Sequence, residues 1–269
     1  MTTLMERINR KKMKLAGLEN RRSKKIPFVI VIDISGTMEL NDNIGKVNRG
    51  LQAFYDVLLE DPKICDSLDL SIITFGGEER VHLAVDFDDI RNQAVPTFEA
   101  YGNTPLCPAI IMALDNIEDQ IDAYHSIGIS NTKPIMLIMT DGEPSRYEYA
   151  ELVENGEEYW VADPLQKTDM EFTEAKSKFD RFRKMTDMEV HIIALGDEVK
   201  DLYFLEQFST GLNSVKRLED TDILAFFEHL TISVGTLPVA FDANPNNPDP
   251  FQVFDVFERF KKGNLSTYS

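Results

Sequence analysis

Ile26-Pro27-Phe28-Val29-Ile30-Val31-Ile32-Asp33-Ile34-Ser35-Gly36-Thr37 is the stretch that decides the fold. From Ile26 to Ile34 it is almost continuously apolar and rich in β-branched residues, with no polar alternation. That pattern belongs to a strand buried on both faces, as in a parallel sheet covered by helices on each side. The run then breaks into carboxylate, hydroxyl and glycine. Working outward, Asn43 to Glu60 carries Ile44, Val47, Leu51, Phe54 and Leu58 at helical spacing. Leu70 to Phe75 is a second strand, and Gly76-Gly77 turns the chain into an alternating third strand, Val81 to Val85, predicted to lie antiparallel at the sheet edge. Pro105 suits the first turn of a helix running through Ile110, Ile111, Leu114 and Ile117 to about Tyr124. Ile135 to Thr140 is another central strand. Glu143 to Gln166, acidic and aromatic, reads as a long loop insertion. Thr168 to Thr186 is helical, Glu189 to Leu195 is a strand, and helices at Val199 to Phe208 and Asp222 to Val234 flank a short segment at Ser214 to Leu218. Strands alternating with helices predict a doubly wound, mostly parallel α/β sheet with one antiparallel edge strand.

This domain is expected to occupy residues 26–237. A basic extension, 1–25, precedes it, and a linker with an apolar tail, 238–269, follows. The tail places Phe251, Val253, Phe254, Val256, Phe257 and Phe260 after an Asn/Asp/Pro-rich stretch at Asp242 to Pro250. Charge is divided unevenly: nine Lys/Arg against Glu6 and Glu19 give residues 1–25 a balance of +7, which leaves −25 on the rest of a chain whose total is −18. An acidic body repels nucleic acid and suits cations or basic partners. The extension reads as a solvated arm, helical through Leu4, Ile8, Leu15 and Leu18, folding against that body or a partner. The longest apolar run, Pro27 to Ile32, is far too short to span a bilayer, and the N-terminus has no secretory core segment. Cys65 and Cys107 stand apart from each other and from any metal-ligand spacing, which predicts buried thiols in a reducing cytoplasm.

Three short motifs fall at the carboxyl ends of predicted strands or just before a helix, where doubly wound sheets place ligands. They are Asp33-Ile34-Ser35-Gly36-Thr37, Tyr101-Gly102-Asn103-Thr104-Pro105 and Thr140-Asp141-Gly142. The carboxylates Asp33 and Asp141 with the hydroxyls of Ser35, Thr37 and Thr104 form an oxygen-only set, free of imidazole and thiolate. Such a set suits a small hard cation, and its incompleteness leaves positions for water and a foreign ligand. Magnesium is the first choice and manganese the second; an all-protein calcium cage would supply more carboxylates. His82, His125, His191 and His229 are scattered over unrelated elements and read as structural. Neither GxxxxGK[ST] nor GxGxxG occurs, so nucleotide binding has no motif behind it.

Asp33-x-Ser35-x-Thr37, Thr104 and Asp141 resemble the metal-ion-dependent adhesion site of von Willebrand factor A (vWA) domains, with threonine in place of the usual last serine of the first motif. The resemblance runs from about Ile26 to Val234. It is nearest to bacterial cytosolic vWA proteins of the tellurium-resistance TerY type, through Val47-Asn48-Arg49-Gly50-Leu51, Ser71-Ile72-Ile73-Thr74-Phe75-Gly76, Gly102-Asn103-Thr104-Pro105-Leu106 and Met139-Thr140-Asp141-Gly142-Glu143-Pro144. The resemblance implies a cytoplasmic, non-enzymatic protein-protein interaction module whose bound metal accepts a partner's Glu or Asp. It also implies a role in bacterial stress response or antiviral defence, with kinase- or phosphatase-like partners.

The competing reading is a magnesium-dependent phosphotransferase or phosphatase of haloacid-dehalogenase type, because Asp33-x-Ser35-Gly36-Thr37 resembles that class's DxDGT loop. There the first Asp attacks phosphorus and the second acts as acid. Ser35 occupies the second position here and cannot serve as that acid near neutral pH. The binding reading is therefore preferred.

Overall fold

The computed structural model describes residues 3–15, 24–154, 157–196, 202–210 and 215–218, and single positions at 223, 224, 226, 227 and 230. Its centre is a six-stranded sheet in the order β3-β2-β1-β4-β7-β8, built from β1 (Ile26–Asp33), β2 (Leu68–Phe75), β3 (Val81–Asp89), β4 (Ile135–Thr140), β7 (Glu189–Leu195) and β8 (Val215–Leu218). Only β3 runs antiparallel; it pairs with β2 at the edge, as the Gly76-Gly77 turn predicted.

The side-chain alternation of β1 explains why its sequence shows no polar residues. Phe28, Ile30 and Ile32 point into a core shared with Val47, Leu51, Phe54 and Leu58 of α2 (Asn43–Glu60) and with Phe226 and Phe227. Val29 and Val31 point the other way, against Ile110, Leu114 and Ile117 of α4 (Leu106–Ser126) and Phe172, Phe179 and Phe182 of α5 (Met170–Thr186). Both faces are dry, so both registers of the strand must be apolar. A short helix, α3 (Pro62–Ser67), was not foreseen. Its signal was local: Asp61 caps the Lys63 amide, and Pro62 occupies the first turn. Of the expected helix at Val199 to Phe208, the described part is α6 (Tyr203–Gln207); positions 223, 224, 226, 227 and 230 are helical within the other expected helix. The linker and the apolar tail lie outside the described residues.

One expectation needs correction. The stretch Glu143 to Gln166 is not a loop: it holds an antiparallel pair, β5 (Ser145–Glu154) and β6 (Glu157–Pro164), which forms a second sheet of its own. The overlooked signal was Asn155-Gly156, a strong two-residue hairpin dipeptide, set between segments that pair Glu154 with Glu157. The basic extension meets its expectation as far as it is described, Leu18 lying outside the described residues. It does form a helix, α1 (Leu4–Lys14), opened by a reciprocal capping box between Thr3 and Glu6 and closed by lysines in its last turn. Leu4 on this helix is 54% exposed. The helix docks through Lys11, whose buried Nζ donates to Asp86 Oδ1 at 2.7 Å and to Asn116 Oδ1 at 2.8 Å. Arg7 with Asp119 and Lys14 with Asp86 reinforce it, and Leu15 joins a small cluster with Ala123, Tyr124 and Ile129. The acidic body thus holds its own basic arm across β3 and α4.

At the amino ends of β1 and β2, a second buried ion pair joins Lys25 Nζ to Asp69 Oδ1 at 2.8 Å. The other Asp69 oxygen accepts from Tyr124 Oη at 2.5 Å and from Gln120 Nε2 at 3.3 Å, so its acceptor capacity is used where water is excluded. Cys65 and Cys107 are free and buried, and burial pushes the Cys107 thiol up to about 12. Among the described residues no helix is long and apolar enough to cross a membrane.

The α1 contacts differ in depth, and so should their contributions. Lys11→Met removes one partner of a mostly buried pair and should destabilise the protein by roughly 2 kcal/mol, less than a fully buried break because Lys14 still faces Asp86. Lys14→Met should cost less than about 1 kcal/mol, as exposed pairs do. Urea unfolding of the two variants checks the ranking.

Candidate metal centre

Parallel pairing brings the three motifs together. β1 and β4 are neighbours with Ile32 opposite Met139, so the residues that follow, Asp33 and Asp141, emerge at the same end of adjacent strands. Asp33 is fully buried. Its Oδ1 accepts from the Ser35 amide at 2.8 Å and its Oδ2 from Thr140 Oγ1 at 2.5 Å. Ser35 Oγ lies 3.1 Å from Thr37 Oγ1, which donates to Asp141 Oδ1 at 2.7 Å. Thr104 completes the group. A Cβ placed on Gly142 would fall 3.0 Å from Thr104 Oγ1 and 3.5 Å from Thr37 Oγ1, so the glycine keeps open the space between the two hydroxyls. All five expected residues therefore meet in one cleft. Asp33, Ser35, Thr104 and Asp141 are buried, whereas Thr37 is exposed and forms the mouth.

The loops that carry these side chains are laced by backbone bonds. Ile34 N donates to Phe75 O at 2.8 Å, Tyr101 N to Ile34 O at 2.7 Å, Gly36 N to Gly102 O at 3.0 Å and Gly77 N to Tyr101 O at 2.5 Å. This contact leaves no room for side chains. Gly76 has φ +102°, and a Cβ there would sit 2.7 Å from Ser35 N; Gly102 has φ +82°, and its Cβ would meet Gly77 O at 2.9 Å. Residues outside the expected set also hold the site. Thr140 orients Asp33. Ser145 grips the Thr104 loop from both sides, its Oγ accepting from Thr104 N and its amide donating to Thr104 O, each at 3.0 Å. Thr140 stood inside a motif already singled out, but Ser145 had no sequence signal, because its contact is set by the approach of β5 to a distant loop.

The chemistry of this donor set fits a divalent cation. Burial, followed by the Asp141 carboxylate, raises Asp33 to about 7, against the opposing bonds from Ser35 and Thr140. Two carboxyl groups and three hydroxyls converge on this one point, a donor set that suits a cation. Among the described residues no group of three His, Cys, Asp or Glu side chains converges as a metal site, so the remaining ligands here must be hydroxyls and water. That favours a small hard ion over a thiophilic one.

Without metal, Asp33 has a folded pKa above its unfolded value near 3.8, so the folded state holds more protons than the unfolded state between about 4 and 7. This group therefore favours the fold at low pH and loses that contribution as pH rises through about 7. Cation binding requires the deprotonated carboxylate. The rise in melting temperature on adding magnesium should accordingly be larger at pH 8 than at pH 6, measured by scanning calorimetry; an equal rise at both would contradict the assignment.

Comparison with protein-family models finds no match, and neither does comparison with curated proteins. Solved structures do match. The pilus adhesin SpaC from Lactobacillus rhamnosus GG superposes with a TM-score of 0.55 at 14% identity over 80% of this chain; the chain spans only 31% of that protein. The vWF domain of the type V pili tip protein Mfa5 from Porphyromonas gingivalis superposes with a TM-score of 0.52 at 12% identity over 79% of this chain and 96% of that one. At such identities the likeness is one of fold: this six-stranded, doubly wound sheet with its antiparallel edge is that of a von Willebrand factor A domain.

Proposed function

We propose that the protein is a non-catalytic interaction module in which Asp33, Ser35, Thr37, Thr104 and Asp141 hold one magnesium or manganese ion, and that this ion accepts a carboxylate from a partner protein. The observation that carries the reading is the convergence of two buried carboxylates and three hydroxyls on a cleft whose mouth is the exposed Thr37. The five side chains are too few strong ligands to fill an octahedral magnesium shell, which leaves water to be replaced from outside. A partner Glu or Asp would replace one water with a charge-assisted bond in a partly dry interface. Asp33 suits this role better than nucleophilic attack. It is fully buried with hydrogen bonds to both oxygens, and Ser35 stands where a phosphotransferase would need an acid.

The likeness of the motif phrases to TerY-type proteins supports placing the module in the bacterial cytoplasm, within a tellurium-resistance, stress-response or antiviral defence system. Its partners there would be kinase- or phosphatase-like proteins. Neither nucleic acid nor membrane is part of this reading.

Titration calorimetry tests it. Asp33→Ala and Thr104→Ala should each weaken magnesium binding by about tenfold or more, the loss of one charged or hydroxyl ligand contact. Melting temperatures measured without metal should show that both variants remain folded. Unchanged magnesium affinity in Asp33→Ala would sink the metal assignment. Turnover of phosphomonoesters or ATP that disappears in Asp33→Asn would instead establish the enzyme reading.

A further inference from the structure

The N-terminal helix, besides pairing with the acidic body, forms one wall of a cavity. A space of about 660 Å³ lies between α1, β3, α4 and the start of α5. Its floor is apolar. Pro108, Ile111 and Met112 come from one stripe of α4 at helical spacing, Leu83 comes from β3 and Met170 from α5. Leu83, Ile111 and Met112 pack against the core on one side and are only half-buried, while Met170 is 83% exposed. Pockets of roughly 300–1,000 Å³ with apolar linings take drug-sized molecules, and two methionines let such a floor adapt to its guest.

Charge decides which kind of molecule the cavity suits. Arg7, Arg10 and Lys11, at i, i+3 and i+4, line it from α1. Three ion pairs bridge the walls: Arg7 with Asp119 of α4 at 3.2 Å, Lys11 with Asp86 of β3 at 2.7 Å, and Arg80 with Glu171 of α5 at 2.5 Å. Asp115 meets Lys178 at 2.5 Å. Arg10 and Glu174, both exposed, are opposite in sign. A charged guest would therefore meet a like charge for each opposite one, and it would lose hydration over the apolar floor. An uncharged guest incurs neither cost.

We propose that this cavity is a binding site for an uncharged, largely apolar small molecule, held between the N-terminal helix and the domain. The site is separate from the metal reading: none of Asp33, Ser35, Thr37, Thr104 and Asp141 lines it. A guest there touches α1 and three elements of the body at once, so its binding and the docking of α1 stabilise each other.

The probe is Nile red, a neutral dye that is bright in apolar surroundings, titrated into the full chain and then displaced with 1-decanol. Saturable binding, displacement by decanol and slower hydrogen exchange of α1 amides with decanol bound are expected. Decanoate and decylammonium, of equal chain length, should each displace the dye about tenfold less well or worse. Met112→Trp and Leu83→Trp fill the cavity from two walls and should each weaken binding about tenfold or more. Leu59→Ser, at an exposed position of α2 outside the cavity, should leave binding unchanged. Melting temperatures show which filling variants fold. Absence of saturable binding, binding that a folded filling variant leaves intact, or no protection of α1 would overturn the proposal. Displacement by either ion as good as that by decanol would remove the uncharged class and overturn it as well. Dye binding that appears only in Phe254→Ser combined with Phe257→Ser would mean that the chain's own tail fills the space, again overturning it.

Discussion

Two carboxylates forced into one dry cleft are the constraint around which this structure is arranged. Asp33 and Asp141 end adjacent parallel strands, so the sheet fixes their proximity whatever the loops do. Burial first, and then the Asp141 carboxylate, raise the charged state of Asp33 in energy. The surroundings moderate that cost without removing it. Thr140, the Ser35 amide and Thr37 donate to the pair, and the glycine-lined contact among three loops keeps those donors in place. The cost is local and sits at the end of a well-packed sheet.

The opposite end of the sheet treats charge differently. Lys25 and Asp69 are as deeply buried as the metal-site carboxylates, but they neutralise each other, and Tyr124 and Gln120 occupy the second Asp69 oxygen. Buried carboxylates therefore lie at both ends of the sheet: Asp69 is paired with Lys25 at one end, and Asp33 and Asp141 stand together at the other. The N-terminal helix follows the first principle too. Its lysines and Arg7 meet Asp86, Asp88 and Asp119 of the acidic body, so the charge asymmetry of the sequence is partly consumed within the fold.

Much of this was legible in the residues. The unbroken apolar run of Ile26 to Ile32 can be satisfied only by a strand covered on both faces, and the 3.6-residue spacing of Val47, Leu51, Phe54 and Leu58 names one of its covers. The site residues were legible because strand ends in parallel sheets converge, so Asp33, Ser35, Thr37, Thr104 and Asp141 could be grouped before any distance was known. What the residues could not disclose depends on which surfaces approach each other. Lys11 lies in a polar helix, and only the positions of Asp86 and Asn116 make it the buried anchor. Ser145 is an unremarkable serine until β5 brings it to Thr104. The raised Asp33 carboxyl follows from burial and from Asp141, neither of which is a property of the local sequence. Periodicity and motif order report on single elements; the electrostatics of the site arise between elements, and only the tertiary structure decides them.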